Sequence, residues 1–326
     1  MDGGNGCLYG IPKNAPRVLE FNLENKSIQE IGPDLGIGGY KYGKGIRANN
    51  GSIYCPPSYK LKPFLKITPL ERGGANVRIL DEKKIPENGY PMWLPVNGVL
   101  ADKDECIYFM PEGGSRILKL DPNNDDSLSL VGREMRRRRY PGAILGNDGC
   151  IYGIPSHPST ELIKFDPSDQ SFTEVLHTYM ARQGYLGYLK ADANDSNSNI
   201  YACNKYGQIL KLDTVIYKCT IIGSRIFNGD GYNGLGWHYP VLGADKCIYF
   251  PPFKHGRVLK FNPSTQSRSL IGDSHGFDDD KWSGSCLATN GYIYCVPSSS
   301  KYILEVDTRP LNEKILQLVQ SSVNNT

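Results

Sequence analysis

The chain has 326 residues, a formal net charge of +3 and a hydrophobic content of 39%. So small a net charge does not by itself indicate nucleic acid or a membrane surface as the partner. No run of about 20 apolar residues predicts a membrane span, and residues 1–5 are too short and too polar for a signal peptide, so we expect a cytoplasmic protein.

One short phrase recurs seven times: an apolar residue and a tyrosine, a small or apolar pair, and usually a proline. The copies are CLYGIP, SIYCPP, CIYFMP, CIYGIP, NIYACN, CIYFPP and YIYCVP, and the repeats begin near residues 6, 52, 106, 150, 199, 247 and 292. Their tyrosines are 45, 54, 44, 49, 48 and 45 residues apart. A strand-rich repeat of about 45 residues is typical of a propeller blade. The sequence therefore predicts one all-β domain over residues 1–326, a seven-bladed β-propeller.

Each repeat is predicted to contain about four antiparallel strands. In residues 139–176 these are GAIL, CIYGI, ELIKF and SFTEVL, and the Asp148-Gly149 pair between the first two indicates a two-residue type I′ hairpin. The first two strands are apolar on both faces, as expected of blades stacked face to face around an axis. Residues 311–320 have the one helix-like pattern, but their place in the repeat predicts the last outer strand.

The first repeat departs from this scheme. An inner strand precedes repeats two to seven, whereas the turn at Asn5-Gly6 leaves no room for one before repeat one. Residues 321–326 are too short and too polar to supply it from the other terminus. Either blade one has three strands, or the chain is a fragment of a longer protein.

The nine cysteines are expected to be free, small buried side chains in a reducing compartment. Four of them share one repeat position and lie too far apart to bridge. The exception is a pair in the last repeat. A two-residue turn at Asn290-Gly291 would place Cys286 opposite Cys295, where a cross-strand disulfide can form. Two adjacent free thiols are the alternative.

The loops that lead into the inner strands share a basic residue and an aromatic one, on the face where propellers usually bind ligands. A ring of cations and flat side chains there would hold a small anionic or sugar-like ligand, or an acidic protein. The alternative is structural, with aromatics wedged between blades and solvated cations at the rim. The candidate binding residues are Lys41, Tyr42, Lys44, Trp93, Arg136, Arg137, Arg138, Arg139, Tyr140, Arg182, Tyr185, Trp237, His238, Lys281 and Trp282.

The four adjacent arginines at 136–139 are the strongest charge feature of the chain. A basic run of this kind can contact phosphate, nucleic acid or an acidic protein. We expect a solvated or protein-contacting loop here and not a nucleic-acid site.

The units DGCIYGIP…ELIKFDP and DKCIYFPP…RVLKFNP resemble repeats of uncharacterised propeller proteins of diatoms and other algae. They are more distantly similar to the SMP-30, NHL and virginiamycin-B-lyase-like propellers. The resemblance covers essentially the whole chain and implies the fold. It implies no single activity, because such propellers include lactonases, lyases and interaction platforms.

The residues required by those enzymes are not evident. A lactonase-like site needs carboxylates and amides around a cation at the axis, but the carboxylates lie mostly in turns such as Asp102, Asp148 and Asp245, which leaves Asn97 and His238 at the mouth. A lyase-like site needs paired histidine and glutamate. The histidines lie in unrelated loops, at His157, His177, His238, His255 and His275.

No P-loop, GxSxG, HExxH or CxxC motif occurs. We therefore predict a binding or scaffold propeller without metal or cofactor, which contacts a protein or a small anionic ligand. The alternatives are a lactonase- or lyase-like enzyme that uses the central funnel, and a structural subunit of a larger assembly.

Overall fold

The protein is a seven-bladed β-propeller, as its repeats predict. The computed structural model describes residues 1–58, 63–81, 98–111, 115–135, 140, 142–154, 162–176, 185–190, 199–204, 206–226, 236–237, 240–276, 281–298 and 300–310. These residues form 26 strands in seven antiparallel sheets, and none of them is helical. Accordingly, no helix in the described part of the chain is long and apolar enough to cross a membrane.

Each sheet is one blade, built from consecutive strands that pair in chain order. Blade 1 consists of β1 (Cys7–Gly10), β2 (Val18–Asn22) and β3 (Ile28–Ile31). Blade 2 consists of β4 (Ile46–Arg47), β5 (Ile53–Cys55), β6 (Leu65–Pro69) and β7 (Ala75–Ile79). Blade 3 consists of β8 (Gly98–Leu100), β9 (Ile107–Phe109), β10 (Ile117–Asp121) and β11 (Ser127–Val131).

Blade 4 consists of β12 (Gly142–Leu145), β13 (Ile151–Ile154), β14 (Leu162–Phe165) and β15 (Phe172–Leu176). Blade 5 consists of β16 (Tyr185–Lys190), β17 (Ile200–Asn204), β18 (Ile209–Asp213) and β19 (Lys218–Ile222). Blade 6 consists of β20 (Val241–Leu242), β21 (Ile248–Phe250), β22 (Val258–Asn262) and β23 (Ser267–Ile271). Blade 7 consists of β24 (Trp282–Leu287), β25 (Tyr292–Pro297) and β26 (Leu304–Asp307), and the strand predicted at 311–320 lies outside the described residues.

The repeated phrase forms the second strand of blades 2 to 7 and the first described strand of blade 1. Its side chains are buried on both faces because each blade packs against two neighbours. The seven shared tyrosines are at most 2% exposed, and they are Tyr9, Tyr54, Tyr108, Tyr152, Tyr201, Tyr249 and Tyr294. The most regular positions of the repeat are therefore core positions.

The hairpin between the first and second strands is not the predicted type I′ turn. In blade 4, Gly146 N–H donates to the carbonyl of Cys150 at 2.8 Å, and Gly149 alone has a positive φ, of 74°. This is a three-residue loop, a type I turn followed by a left-handed glycine that forms a bulge. The loop holds one residue more than predicted, so the register beyond it shifts by one.

The same shift corrects the predicted cysteine pairing in blade 7. Gly291 takes the left-handed position, with φ of 79°, and Cys286 lies opposite Tyr294 instead of Cys295. The residue opposite Cys295 is Ser285. Adjacent positions on a strand point to opposite faces of the sheet, and both cysteines are free thiols.

Seven clusters of buried apolar side chains, one at each junction between neighbouring blades, hold the ring together. The cluster between blades 7 and 1 has the fewest buried members, which are Leu8, Phe21, Ala288 and Tyr294. Lys26 reinforces this junction, because its ammonium donates to the Tyr294 hydroxyl and to Glu305, both at 2.9 Å. Among the described residues, the ring therefore closes by side-chain packing and not by a strand shared between the termini.

Blade 1 is three-stranded, in agreement with one of the two predicted alternatives. Residues 1–3 run beside β1 without forming a strand. Tyr9 N–H donates to Met1 O at 2.8 Å, Gly3 N–H donates to Cys7 O at 2.9 Å, and Asp2 forms an isolated bridge with Leu8. Among the described residues, the inner edge of blade 1 is thus covered by residues 1–3.

Candidate functional site

The aromatic residues of the basic-aromatic loops lie inside the protein. Tyr140, Trp237 and Trp282 are at most 5% exposed and belong to the clusters between blades. The indole N–H of Trp237 donates to Arg257 O at 2.9 Å, and that of Trp282 donates to Tyr302 O at 3.1 Å. Their rings are wedges between blades and offer no stacking surface to a ligand.

Two of the predicted cations close their own loops. The Lys41 ammonium donates to the carbonyls of Gly36 and Gly38 at 2.7 and 3.0 Å, and the Lys281 ammonium donates to Gly276 O at 3.0 Å. Both lysines are buried. The shared pattern of basic and aromatic residues is therefore explained, in blades 2 and 7, by loop and core structure.

The other predicted binding residues are described only in part. Tyr185 starts β16 and pairs with Asn204. Trp93, Arg136–Arg139, Arg182 and His238 lie outside the described residues. Tyr42 and Lys44 are described fully and line a cavity that is treated below.

A cluster that sequence reasoning missed lies at the opposite ends of the inner strands. In blades 3, 4 and 6, a turn carboxylate accepts the hydroxyl of the shared tyrosine and the ammonium of a lysine on the third strand. The three carboxylates, called here the latch carboxylates, are Asp104, Asp148 and Asp245. The spacing Asp-x-x-x-Tyr within the repeat, followed by a lysine 15 or 16 residues after the aspartate, was the signal for it.

The latch carboxylates are stabilised in the ionised form. Burial raises the pKa of each, but hydrogen bonds from the lysine, the tyrosine and a backbone N–H outweigh it and hold the pKa below the ordinary 3.8. Every acceptor is used within the blade. These groups therefore fix the turn to the sheet and are not a catalytic site.

Blade 2 carries Asn50 at the position of the latch carboxylate. The carboxylate that its tyrosine and lysine contact belongs to the neighbouring blade 3. Asp126 of blade 3 accepts hydrogen bonds from Tyr54 and from the Lys66 ammonium at 2.8 Å, and it also pairs with Arg78. The Asp126 side chain is 3% exposed. The tyrosine, lysine and carboxylate combination is thus kept, but it joins two blades.

A cavity of about 120 Å³ opens at the inner edge of blade 1. We call it the blade-1 cavity. It lies where blade 1 lacks a full inner strand, between the strands that lead into blades 2 and 7. Its lining surface is mostly apolar, and the polar side chains among it are Tyr9, Lys13, Tyr42, Lys44, Ser58, Ser285 and Cys286.

Lys44 is the principal charge of this cavity. Its side chain is exposed to solvent, whereas its neighbours Gly43 and Gly45 are buried. Burial lowers the pKa of the Lys44 ammonium below the usual 10.5, and the Cys286 thiol partly offsets this. Among the described residues, no hydrogen bond or ion pair engages this ammonium.

Tyr42 also lines the cavity. Its ring is 5% exposed and packs in the cluster between blades 1 and 2. Burial raises the pKa of its hydroxyl to about 12, so it remains a hydrogen-bond donor at neutral pH. Within the described part of the chain, this hydroxyl has no hydrogen-bond partner.

The described residues do not form an enzyme-like constellation. No group of three or more His, Cys, Asp or Glu side chains among them converges as metal ligands do. His255 is buried and stacks on Trp237, with ring centroids 4.4 Å apart, and its Nδ1 accepts the Arg257 N–H. His275 contacts the edge of Trp282 at the surface.

Comparison with known proteins identifies the fold alone. No family model matches the chain, and no curated protein matches its sequence. Among solved structures, a streptogramin B lyase superimposes with a TM-score of 0.66 at 13% identity, over 91% of this chain and 88% of the other. A catalytically inactive virginiamycin B lyase from Staphylococcus aureus, solved with quinupristin, gives 0.66 at 15% over 91% and 90%. The hydrazine synthase of Kuenenia stuttgartiensis gives 0.65 at 9% over 94% of each chain. The resemblance to virginiamycin-B-lyase-like propellers is thus confirmed for the fold.

Proposed function

We propose that the protein is a binding propeller and that its ligand site is the blade-1 cavity. The ligand is an organic anion with an apolar body. The observation that carries this proposal is the Lys44 ammonium, a cation without a described partner at the end of a mostly apolar cavity. An exposed ammonium beside apolar side chains can form a charge-assisted hydrogen bond with an anion whose apolar part enters the cavity.

The cavity suits a ligand of about the size of a single aromatic ring. Its volume of about 120 Å³ approaches that of an engineered protein cavity, about 150 Å³, that binds benzene. Apolar contacts would come from Ile11 and Val296, and a carboxylate would meet Lys44 and the Tyr42 hydroxyl. In this proposal, the positive charge that meets the ligand is the ammonium of Lys44.

The described residues support binding more than catalysis. The enzyme alternative requires several carboxylates or imidazoles that converge on the channel, and the described residues provide no such group. Two of the similar structures are lyases, but a likeness of 13–15% identity extends to the fold and not to their chemistry.

Isothermal titration calorimetry with benzoate tests the proposal, with benzyl alcohol as the uncharged control. We expect benzoate to bind and benzyl alcohol to bind at least about tenfold more weakly, because a hydrogen bond to a charged group contributes about 1.5–3 kcal/mol. Lys44→Met should weaken benzoate binding by a similar factor. Lys301→Gln is the matched control, because it removes an exposed lysine that does not line the cavity.

Two results would contradict the proposal. Benzoate could fail to bind the folded wild-type protein at millimolar concentration. Alternatively, benzoate could bind equally well to the wild type and to Lys44→Met.

A further inference from the structure

A charged residue faces the shared tyrosine in every blade, from the strand that follows it in the sheet. This residue is a lysine in blades 2 to 6, at Lys66, Lys119, Lys164, Lys211 and Lys260. In blades 1 and 7 it is a glutamate, at Glu20 and Glu305. The sign of the charge is therefore reversed in two neighbouring blades of the ring.

Two junctions show how the next blade balances this charge. In each, a left-handed residue at the end of the turn before the outermost strand reaches back to the shared tyrosine. In blade 3 this residue is Asp126, with φ of 54°, which accepts the tyrosine hydroxyl of blade 2 and the Lys66 ammonium. In blade 1 it is Lys26, with φ of 59°, whose ammonium donates to the Tyr294 hydroxyl and to Glu305, both at 2.9 Å. A carboxylate thus meets the lysine, and an ammonium meets the glutamate.

The junction of blades 1 and 2 lacks the second charge. The left-handed residue at the end of the corresponding turn is Gly74, with φ of 78°, and the Tyr9 hydroxyl donates to its carbonyl at 2.8 Å. A Cβ added to Gly74 would meet a single atom within 4 Å, a Leu70 methyl carbon at 3.9 Å. This position therefore brings no charge to Glu20, although it has space for a side chain.

Glu20 is a buried carboxylate with one oxygen unused. The residue is 4% exposed. Its Oε1 accepts the Gln29 amide at 2.7 Å, whereas its Oε2 is buried without a hydrogen-bond partner. Within the described part of the chain, no ion pair engages this carboxylate. Burial of a charge is costly unless the charge is paired, so Glu20 requires a cation.

The charge of Glu20 acts on the groups around it. Burial and then the negative charge of Glu20 raise the pKa of the Cys7 thiol. The same two causes raise the pKa of the Tyr9 hydroxyl, although the Asn5 amide acts in the opposite direction. The Gly74 carbonyl oxygen lies against this hydroxyl. The described residues of the junction thus bring together a carboxylate, a hydroxyl oxygen and a carbonyl oxygen around one unbalanced negative charge.

We propose that the junction of blades 1 and 2 binds one monovalent cation, in the place that the Lys26 ammonium takes between blades 7 and 1. We call this place the Glu20 site. Its ligands are Glu20 Oε2 and the hydroxyl oxygen of Tyr9, which correspond to the two groups that Lys26 contacts. The cation is ammonium or an alkali ion of similar size, and it fastens blade 1 to blade 2.

The hydrogen bonds of the site leave acceptors for such a cation. The Tyr9 hydroxyl receives one hydrogen bond, from the Asn5 amide at 2.9 Å, and donates its proton to Gly74 O. Since a hydroxyl oxygen has two lone pairs, one of them is left for the cation. Both lone pairs of Glu20 Oε2 are left as well. The site therefore needs a positive charge and offers two oxygen atoms to it.

A single positive charge matches the site better than a double one. Glu20 is its one carboxylate, and no group of three or more His, Cys, Asp or Glu side chains in the described ranges converges as metal ligands do. A divalent ion takes about six or more oxygen ligands and would leave a surplus charge in a buried place. The Glu20 site does not use Lys44, so it is independent of the proposed ligand of the blade-1 cavity.

The melting temperature of the full chain in different chloride salts tests the proposal. Tetramethylammonium chloride is replaced at constant ionic strength by ammonium, potassium or sodium chloride. Tetramethylammonium has the same charge but is larger and has no N–H donor. We expect a rise of about 2–4 °C in ammonium and in any alkali ion that fits, because a ligand of the folded state alone stabilises it. Comparison of the salts distinguishes ammonium from alkali ions.

Three variants assign the response to the site. Glu20→Gln removes the charge and keeps the acceptor for Gln29, so the response to cations should disappear. Glu30→Gln is the matched control, because it removes an exposed carboxylate of the same outer hairpin and should keep the response. Gly74→Lys supplies an ammonium where Lys26 supplies it in blade 1. It should raise the melting temperature in tetramethylammonium and cancel the response to the other cations.

A measurement on the unmodified protein does not depend on the folding of any variant. In nitrogen-15 NMR spectra with labelled ammonium chloride, we expect one equivalent of bound ammonium with a signal distinct from that of free ammonium. Absence of this signal would overturn the proposal, as would equal melting temperatures of the wild type in all monovalent salts. A response that persists in Glu20→Gln would overturn the assignment to Glu20. A rise in calcium chloride alone would overturn the monovalent charge.

Discussion

Replacement of Asp245 by asparagine measures what a latch carboxylate contributes to the fold. Its Oδ2 accepts the Lys260 ammonium at 2.6 Å and the Tyr249 hydroxyl at 2.9 Å, and its Oδ1 accepts the Cys247 N–H at 3.1 Å. Asparagine preserves the shape and one acceptor oxygen but loses the charge that faces Lys260. Blades 1, 2 and 7 already carry asparagine here, at Asn5, Asn50 and Asn290, so the change is sterically compatible with the repeat.

The expected cost is about 1–2 kcal/mol of unfolding free energy, since hydrogen bonds to charged groups contribute about 1.5–3 kcal/mol and neutral ones about 0.5–1.5. The lower part of this range allows for solvent screening, because the Lys260 and Asp245 side chains are 31% and 19% exposed. Urea unfolding at neutral pH, followed by tryptophan fluorescence, gives the value. Asp273→Asn removes an exposed carboxylate and should change stability by less than about 0.5 kcal/mol.

The difference between wild type and Asp245→Asn should also depend on pH. The pKa of the Asp245 carboxyl is lower in the folded protein than its ordinary 3.8, because hydrogen bonds from Lys260, Tyr249 and a backbone N–H outweigh the effect of burial. Its contribution is therefore complete above the unfolded pKa and is lost as the pH falls through the folded pKa. A difference that stayed constant into this acid range would refute the reasoning, because the cost would then not come from the charge.

Three further predictions follow from the described contacts. Asp126→Ala should cost about 3–5 kcal/mol in urea unfolding because it leaves Lys66 without its buried partner, whereas Arg78→Gln, at an exposed end of the same cluster, should cost less than about 1 kcal/mol. The intact mass should not change on reduction, because the cysteines are free thiols. Iodoacetamide should modify Cys286 before Cys55, Cys203 and Cys295, because burial raises the pKa of the last three thiols. A two-dalton gain on reduction, or faster labelling of a buried thiol, would contradict this prediction. Benzoate affinity in calorimetric titrations should begin to fall at a pH below the usual lysine pKa of 10.5, because burial lowers the pKa of Lys44. Lys44→Arg should abolish this pH dependence, because arginine stays charged. An affinity that stays unchanged up to pH 10.5 would show that Lys44 does not bind the ligand.

The fold was predictable because the repeat period and the buried tyrosines are properties of the sequence itself. The register of the hairpins was not, because an Asx-Gly pair fits both a two-residue and a three-residue loop. In blade 7 the Asn290 side chain accepts the Tyr292 N–H at 3.2 Å, and this local hydrogen bond stabilises the longer loop. Because the loop is one residue longer than predicted, Cys286 lies opposite Tyr294 and not opposite Cys295.

The candidate site was predictable only in part. The search for cations beside aromatics found Lys44 and Tyr42, which line the cavity, together with Lys41, Lys281 and the wedge aromatics, whose described roles are structural. Sequence cannot distinguish these cases, since a lysine that donates to loop carbonyls and a lysine that lines a cavity belong to the same motif.

The asymmetry of the ring is the physical reason to place function in blade 1. In blades 2, 3, 4 and 6 the tyrosine hydroxyl donates to a carboxylate, the carboxylate also accepts a lysine, and the inner edge pairs with a strand. Blade 1 carries Glu20 where Lys66 stands in blade 2, and one oxygen of this buried carboxylate has no hydrogen-bond partner. The blade-1 cavity borders this same irregular blade. We therefore place the proposed ligand where the described part of the chain departs from the repeat.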